Sequence, residues 1–299
     1  MIKLCTVILE YQNPKMTLET IESLKLAVLP KNVKHQIVVI DNSPVPDGSL
    51  KPALKKYRNI KLIPTYKNTG FAGGNNRGIK YGLRYKADYF LLMNNDVLVE
   101  RLFLKHLLAA KADLAVPKIY FAKGFEYHQD RYRPKELGKV IWYAGGKFDW
   151  NEVLGRHEGV DEVDRGQFEQ TKVVDFANFC CVLIKKNVFD KIGLLDPAYF
   201  LYWEDADFSH RAHLAGFKQV FVPQSRIWHK SSGSSGSGSK LHDYYLTRNR
   251  LVFGFKYASA RTKFALFRQS LRQLVSGRPG QRKGVLDFYL RRLGKGSLI

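Results

Sequence analysis

Cysteine is almost absent: the 299 residues contain three, Cys5, Cys180 and Cys181. They have no metal-type spacing, and vicinal Cys180 and Cys181 do not easily pair with each other, so zinc scaffolds and disulfide frameworks are excluded. Buried thiols in a reducing compartment are expected. Acidic residues are scarce too, 27 Asp+Glu against 49 Lys+Arg, which leaves a formal +22 that calls for an anionic partner. Long apolar runs are missing: no stretch reaches the roughly 18–20 uncharged residues of a membrane span, so any membrane contact is expected to be peripheral. The apolar start MIKLCTVIL is broken by Glu10 and carries no signal-peptide cleavage pattern, so no export is indicated and a cytoplasmic location is expected. With 45% hydrophobic and 25% charged residues, the composition is that of a globular chain with a real core, and disorder, collagen and coiled coil are excluded.

What is present is an alternation. Apolar, β-branched runs at 4–9, 36–40, 60–64 and 89–93 are separated by helical patterns at 16–26, 50–58 and 75–85. This βαβαβαβ order predicts an α/β fold with a mostly parallel, Rossmann-like sheet and helices on its faces. Residues 121–173 read as an insertion over the sheet, after which a strand resumes in VVDFANFCCVLI. A helix at 204–215 and a strand at 219–222 follow. Residues 1–240 form the expected main domain, with halves over about 1–98 and about 99–240. The segment SSGSSGSGS at 231–239 has almost no side chain to pack and reads either as an expression linker or, by its place just after His229, as a natural mobile lid, the favoured reading. Residues 241–299 hold 13 Lys+Arg and two acids, a net +11 and half the total charge. There, Phe264, Phe267, Leu271, Leu274 and Val275 recur at three and four with Arg261, Arg268 and Arg272 beside them, the pattern of a basic amphipathic helix.

In parallel sheets ligands bind beyond the carboxyl ends of the strands, and the chemistry-bearing residues fall there. Asp41 closes the second strand, either as a turn residue or as an acceptor for a base N–H. The glycine-rich run Asn68–Gly78 is either a tight turn or a set of backbone N–H donors for phosphate at a helix start. It is not a Walker loop, because Lys-Ser/Thr is missing. Asp96, after Asn94 and Asn95, ends the fourth strand, where a carboxylate needs solvent, a helix to cap, or a divalent cation. Glu204, Asp205 and Asp207 open a helix, where acids suit the dipole and one suits a general base. His229, beyond another strand, is a metal ligand or a polar strand end.

Taken in order, VILEYQNP, VVIDNS, NTGFAGGNNRG, LLMNND, FLYWEDADFSHRAHLAGF, WHKSSGSSG and YYLTRNRL resemble inverting family 2 glycosyltransferases with the GT-A fold, especially the rhamnosyltransferase-like branch. The resemblance spans about residues 3–251. It implies a dTDP- or UDP-sugar donor whose nucleoside lies near Tyr11, Asn13 and Asp41. Asn68, Gly70, Gly74, Asn75 and Asn95 are implied on the donor side, with Arg248 and Arg250 as phosphate clamps. Asp96 and His229 are the implied ligands of Mg²⁺ or Mn²⁺, with Asn94 as a further candidate. Asp205 is the implied catalytic base, with Trp203 and Glu204 on the acceptor side. Asn94 replaces the usual first Asp of the metal motif and so lowers ligand charge, and Gln12 replaces a common Asn.

The function expected from this reading is transfer of rhamnose from dTDP-rhamnose to a cell-surface polysaccharide or lipid-linked glycan. A UDP-dependent galactofuranosyl- or glucosyltransferase is the alternative, and a noncatalytic partner of another transferase is a third. A nucleic-acid-binding protein would also use +22, but no recognition helix or aromatic-interleaved basic motif stands out, so no nucleic-acid partner is expected. The basic C-terminal region instead suits an anionic membrane surface on the inner face of the cell membrane. A homodimer stays open as an assembly state.

Overall fold

The computed structural model describes residues 1–230 and 239–298. The expected lid at 231–239 therefore lies outside the described residues except for Ser239. The first half alternates β1 (Ile2–Glu10), α1 (Pro14–Lys25), β2 (Val33–Asp41), α2 (Leu50–Leu54), β3 (Ile60–Pro64), α3 (Gly70–Arg84) and β4 (Tyr89–Asn94). Then come β5 (Val97–Val99), α4 (Phe103–Ala109), β6 (Leu114–Phe121), β7 (Ile141–Tyr143), the hairpin β8 (Gly146–Asp149) and β9 (Leu154–His157), β10 (Lys172–Val173), β11 (Cys181–Lys185) and α5 (Lys186–Ile192). The chain continues through α6 (Glu204–Leu214), β12 (Gln219–His229), α7 (Lys240–Tyr257), α8 (Ala260–Ser276) and α9 (Pro279–Tyr289).

The sheet order is β10-β12-β6-β11-β4-β1-β2-β3, with β5 and β7 paired to β12 and β6. The long ladders, β1 with β2 and β4 and β12 with β6, are parallel, while β11 runs antiparallel between β4 and β6. Continuous aliphatic runs make this possible, because a strand covered on both faces has no side for polar residues. Leu4, Cys5, Val7 and Ile8 of β1 and Ile37–Ile40 of β2 are all buried. The three thiols are free and buried.

Register carries the fold to the site. Glu10 stands beside Asp41, and Leu9 beside Asn94, so the ends of three parallel strands open onto one edge. The next turn also follows from local chemistry: Asn13 caps α1 by accepting from the Met16 N–H, and Pro14 takes the first helical position, where an N–H has no intrahelical partner.

Three boundaries differ from the sequence reading. The helix expected over 50–58 stops at Leu54, where Lys55 N–H turns back to Pro52. The strand expected over 219–222 runs on to His229 through an irregularity between Val222 and Arg226, so His229 is the last residue of β12 and pairs with Val97. The glycine-rich run is also not a loop, since α3 starts at Gly70.

Only Gly70 makes a turn there, with φ +74°. Gly74, Gly78 and Gly82 recur every four residues and form a flat strip on one face of α3, laid against Leu9, Val7 and the Cys5/Phe90 pair. A Cβ at Gly78 would collide with the buried Val7 side chain. Gly78→Val is therefore expected to lower stability by about 1–3 kcal/mol through overpacking, read as a lower melting temperature. An unchanged melting temperature would mean that the helix does not need this close approach.

Candidate active site

At the ends of β1 and β2, Glu10 and Asp41 lie side by side, both buried. Asp41 accepts from the Ser43 N–H (3.1 Å). Glu10 accepts from the Asn13 N–H (2.6 Å) and from the Ser43 hydroxyl. Burial, reinforced by the Asp41 charge and opposed by these donors, pushes Glu10 up to about 7. Tyr11 is exposed beside them, and Gln12 takes a left-handed φ of 52° with its N–H on Ser43.

Asn42, which the sequence reading passed over, organises the next turn. Its amide donates to Asn68 Oδ1 and Gly70 O, and its carbonyl accepts from Thr69 N–H and hydroxyl. Its signal was its place directly after Asp41 in VVIDNS. The donors expected for phosphate are already taken: Gly70 N–H goes to Asn68 (2.9 Å) and Phe71 N–H to the Phe200 carbonyl (2.6 Å). Gly74 packs on Leu9, and Asn75 is buried within α3 with its amide on Phe71 O. Asn68, Gly70 and Gly74 thus have packing and capping roles in this turn, while the buried Asn75 Oδ1 has no hydrogen-bond partner among the described residues.

Beyond β4, the backbone of Asn94 donates to the Cys180 carbonyl (2.9 Å), and the Asn95 amide reaches back to Thr17 of α1 (3.0 Å). Asn95 accordingly ties the motif to α1. Asp96 Oδ1 lies 3.2 Å from His229 Nε2, delivered by β12. That oxygen and His229 Nδ1 are buried and have no hydrogen-bond partner among the described residues. Ligand atoms held about 2.1 Å from one octahedral ion stand roughly 3 Å apart. A carboxylate oxygen without a hydrogen-bond partner and the imidazole Nε2 at this separation therefore fit a divalent cation. Among the described residues no third His, Cys, Asp or Glu joins them.

The segment before β11 links this edge to α6. Cys180 O holds Asn94, and one residue earlier the Phe179 N–H donates to Asp205. Asn178 bridges to His157, which rests on Trp142 O, and the Trp142 ring meets His229 edge-on at 4.8 Å. Burial keeps His157 neutral by pulling it down to about 4.

Asp205 also accepts from the Ala206 N–H (2.8 Å). Burial raises it to about 6 against the pull of these donors, so it is mostly ionised at neutral pH yet basic enough to take a proton. Its neighbour Glu204 is 5% exposed, and its Oε2 has no partner among the described residues. Burial, then the Asp205 charge, pushes it well above the carboxylate range, so the pair divides into a neutral Glu204 and a charged Asp205. Asp207 turns the other way. It is fully buried among Arg211 Nε (2.7 Å), Lys256 Nζ (2.9 Å) and the hydroxyls of Tyr257 (2.8 Å) and Tyr199 (3.2 Å).

The turn presenting Glu204 and Asp205 is strained: Phe200, Tyr202 and Trp203 have φ of 63°, 65° and 76°. Left-handed conformations of bulky side chains cost about 1–3 kcal/mol each and persist only where surroundings enforce them. The enforcing residues are on α7. Asn249 donates to the carbonyls of Tyr199, Leu201 and Tyr202, each at 2.8 Å. Arg248, fully buried, donates to the Tyr199 carbonyl (3.0 Å) and lies over the rings of Tyr244 and Tyr245. Trp203 is buried against Phe253.

The expectation that Arg248 and Arg250 clamp phosphate is corrected here. The first supports the strained turn, and the second is committed to the Glu152 and Val153 carbonyls and to Gln269. Asn249 was missed. Its only sequence signal was a poor helix former between two arginines.

The chain is similar to known proteins in sequence and in fold. The N-acetylglucosaminyl-diphospho-decaprenol L-rhamnosyltransferase of Mycobacterium tuberculosis is 26% identical over 223 residues, 69% of this chain and 70% of its own length. The dTDP-rhamnosyl transferase RfbF of Shigella flexneri is 23% identical over 245 residues, 77% of this chain and 75% of its own. A solved structure of GalNAc-T7 with UDP, GalNAc and Mn2+ superposes with a TM-score of 0.66 at 18% identity, covering 96% of this chain and 54% of the other. The present chain thus spans about half of that structure, and the likeness is one of GT-A fold. Residues 5–193 match the profile of Glycosyl transferase family 2, and the chain belongs to that family.

Proposed function

We propose that this glycosyltransferase moves a sugar, rhamnose from dTDP-rhamnose in the first instance, to a polysaccharide or lipid-linked glycan acceptor with inversion at the anomeric carbon. The observation that carries this reading is the placement of Asp205 one residue away, through Phe179 and Cys180, from the strand end that holds Asn94 to Asp96. Asp41 and Glu10 frame the base side of the donor, with the Asp41 carboxylate as acceptor for a pyrimidine imide N–H. Asp96 and His229 are the residues to hold a divalent ion, which when bound supplies positive charge against the donor diphosphate.

Asp205 then takes the proton of an acceptor hydroxyl. The hydroxyl oxygen forms its bond to the anomeric carbon while the carbon–oxygen bond to the diphosphate breaks on the opposite side, and the nucleoside diphosphate leaves with the bonding pair. One base suffices for such a single displacement, and inversion follows from it. The two rhamnosyltransferase relatives support rhamnose ahead of other sugars.

Thermal stabilisation by a panel of dTDP- and UDP-sugars, with and without Mn²⁺, tests the donor, since a ligand of the folded state alone raises apparent stability. dTDP-rhamnose with Mn²⁺ is expected to give the largest rise, and His229→Ala to remove the metal-dependent part. Stabilisation only by UDP-sugars would replace rhamnose as the donor. A metal effect unchanged in His229→Ala would remove that residue from the metal site.

A further inference from the structure

The basic C-terminal region has an apolar face that none of the described residues covers. On α8 the core-facing positions are Thr262, Leu266 and Ser270. Phe264, Phe267, Leu271 and Val275 fall within an arc of about 80° on another side of the helix, and all are exposed, Phe264 by 63% and Val275 by 78%. Leu286, Tyr289 and Leu290 form a second exposed row on α9, with Leu290 at 56%. The two helices are neighbours, because the Ser270 hydroxyl on α8 meets the Tyr289 hydroxyl on α9 at 2.7 Å.

Arg261, Arg268 and Arg272 run along one flank of the α8 row, all exposed, and Arg282, Arg291 and Arg292 are exposed on and after α9. The two acids of residues 241–299 offer no surface charge to balance them. Asp243 is buried against the Arg278 guanidinium, and Asp287 is fully buried with Tyr244 and Ser297. The surface charge of this region is thus positive alone, bordering a row of Phe, Leu and Val.

We propose that the α8–α9 face docks on an anionic lipid bilayer, with the apolar rows at the acyl boundary and the arginines among acidic headgroups. This chemistry fits both halves of the surface: apolar side chains gain by leaving water, and each cation near an anionic leaflet adds to the attraction. A second copy packed on the same face would bring the arginines of both chains into one interface with no exposed acid of this region to pair them. A nucleic acid would match the charge but leave the aliphatic side chains unused. The proposal deepens the reading of a lipid-linked acceptor, and it is tested without catalysis.

Flotation with phosphatidylcholine vesicles, with and without phosphatidylglycerol, provides the measurement. The wild-type chain is expected to float with anionic vesicles and not with neutral ones. The triple variants Arg261→Gln/Arg268→Gln/Arg272→Gln and Phe264→Ser/Phe267→Ser/Leu271→Ser are each expected to bind at least about tenfold more weakly, because three cations or three membrane-buried apolar side chains are lost at once. Both variants alter exposed positions, so their melting temperatures and nucleotide-sugar stabilisation should match wild type. Loss of that stabilisation in the wild-type chain would count against the catalytic reading alone. No binding, equal binding to both vesicle types, or unchanged binding by either variant overturns the docking proposal. So does a wild-type dimer that the serine variant dissociates.

Discussion

Asp205→Asn is expected to lower turnover by about 10²–10⁴-fold, the usual contribution of a positioned general base, while nucleotide-sugar binding stays near wild type. The amide keeps the size of the carboxylate and loses its capacity to take a proton. The pH dependence provides a second signature. Burial holds the Asp205 carboxyl up at about 6, so the base is protonated and idle below that pH and ionised above it. Turnover should therefore rise with pH through about 6 and level off, and the residual activity of Asp205→Asn should lack this acid limb. Glu204, pushed further up by burial and by the Asp205 charge, stays neutral across the same window and adds no second rise below it. Unchanged turnover in Asp205→Asn, or an acid limb that survives the substitution, would assign the base to another residue.

Asn249→Asp should produce the other large effect, from a residue that never meets substrate. The Asn249 amide is the donor to three carbonyls of the turn before α6. An aspartate has the same shape but presents only acceptors to those carbonyls, leaving a buried carboxylate without donors from the turn, a loss of several kcal/mol. Phe200, Tyr202 and Trp203 would relax from their left-handed conformations, and Asp205 would leave its position beside Phe179. The expected result is a fall in kcat of at least about tenfold, since misplacement of a reacting group by about 1 Å costs as much as a hundredfold. KM for the donor should be nearly unchanged, because Glu10, Asp41 and Asp96 sit on other elements. Assays well below the lowered melting temperature separate positioning from unfolding. A normal kcat at such a temperature would show that the turn holds without Asn249.

A great deal of the architecture was legible before any coordinates. The βαβ alternation and the aliphatic runs of β1, β2 and β4 specify a parallel sheet, because only strands covered on both faces read that way. Parallel topology then brings Glu10, Asp41 and Asn94 to one edge, which is why strand-end positions were readable as a site. The exposed amphipathic row on α8 was also readable, since helix periodicity is a local property.

Side-chain direction over long range was not. NTGFAGGNNRG has the composition of a phosphate loop, yet Gly74, Gly78 and Gly82 serve the approach of α3 to Val7 and Leu9, a demand set by a strand more than sixty residues earlier. The family resemblance implied that Arg248 meets a phosphate. The fold buries it against Tyr244, Tyr245 and the Tyr199 carbonyl, nearly fifty residues away in sequence. The sequence by itself determined which chemistry stands at the strand ends, because strand periodicity and topology are encoded locally. The tertiary structure alone decided which polar groups face the crevice and which hold the strained turn, because that depends on which carbonyls and side chains distant segments bring within hydrogen-bond reach.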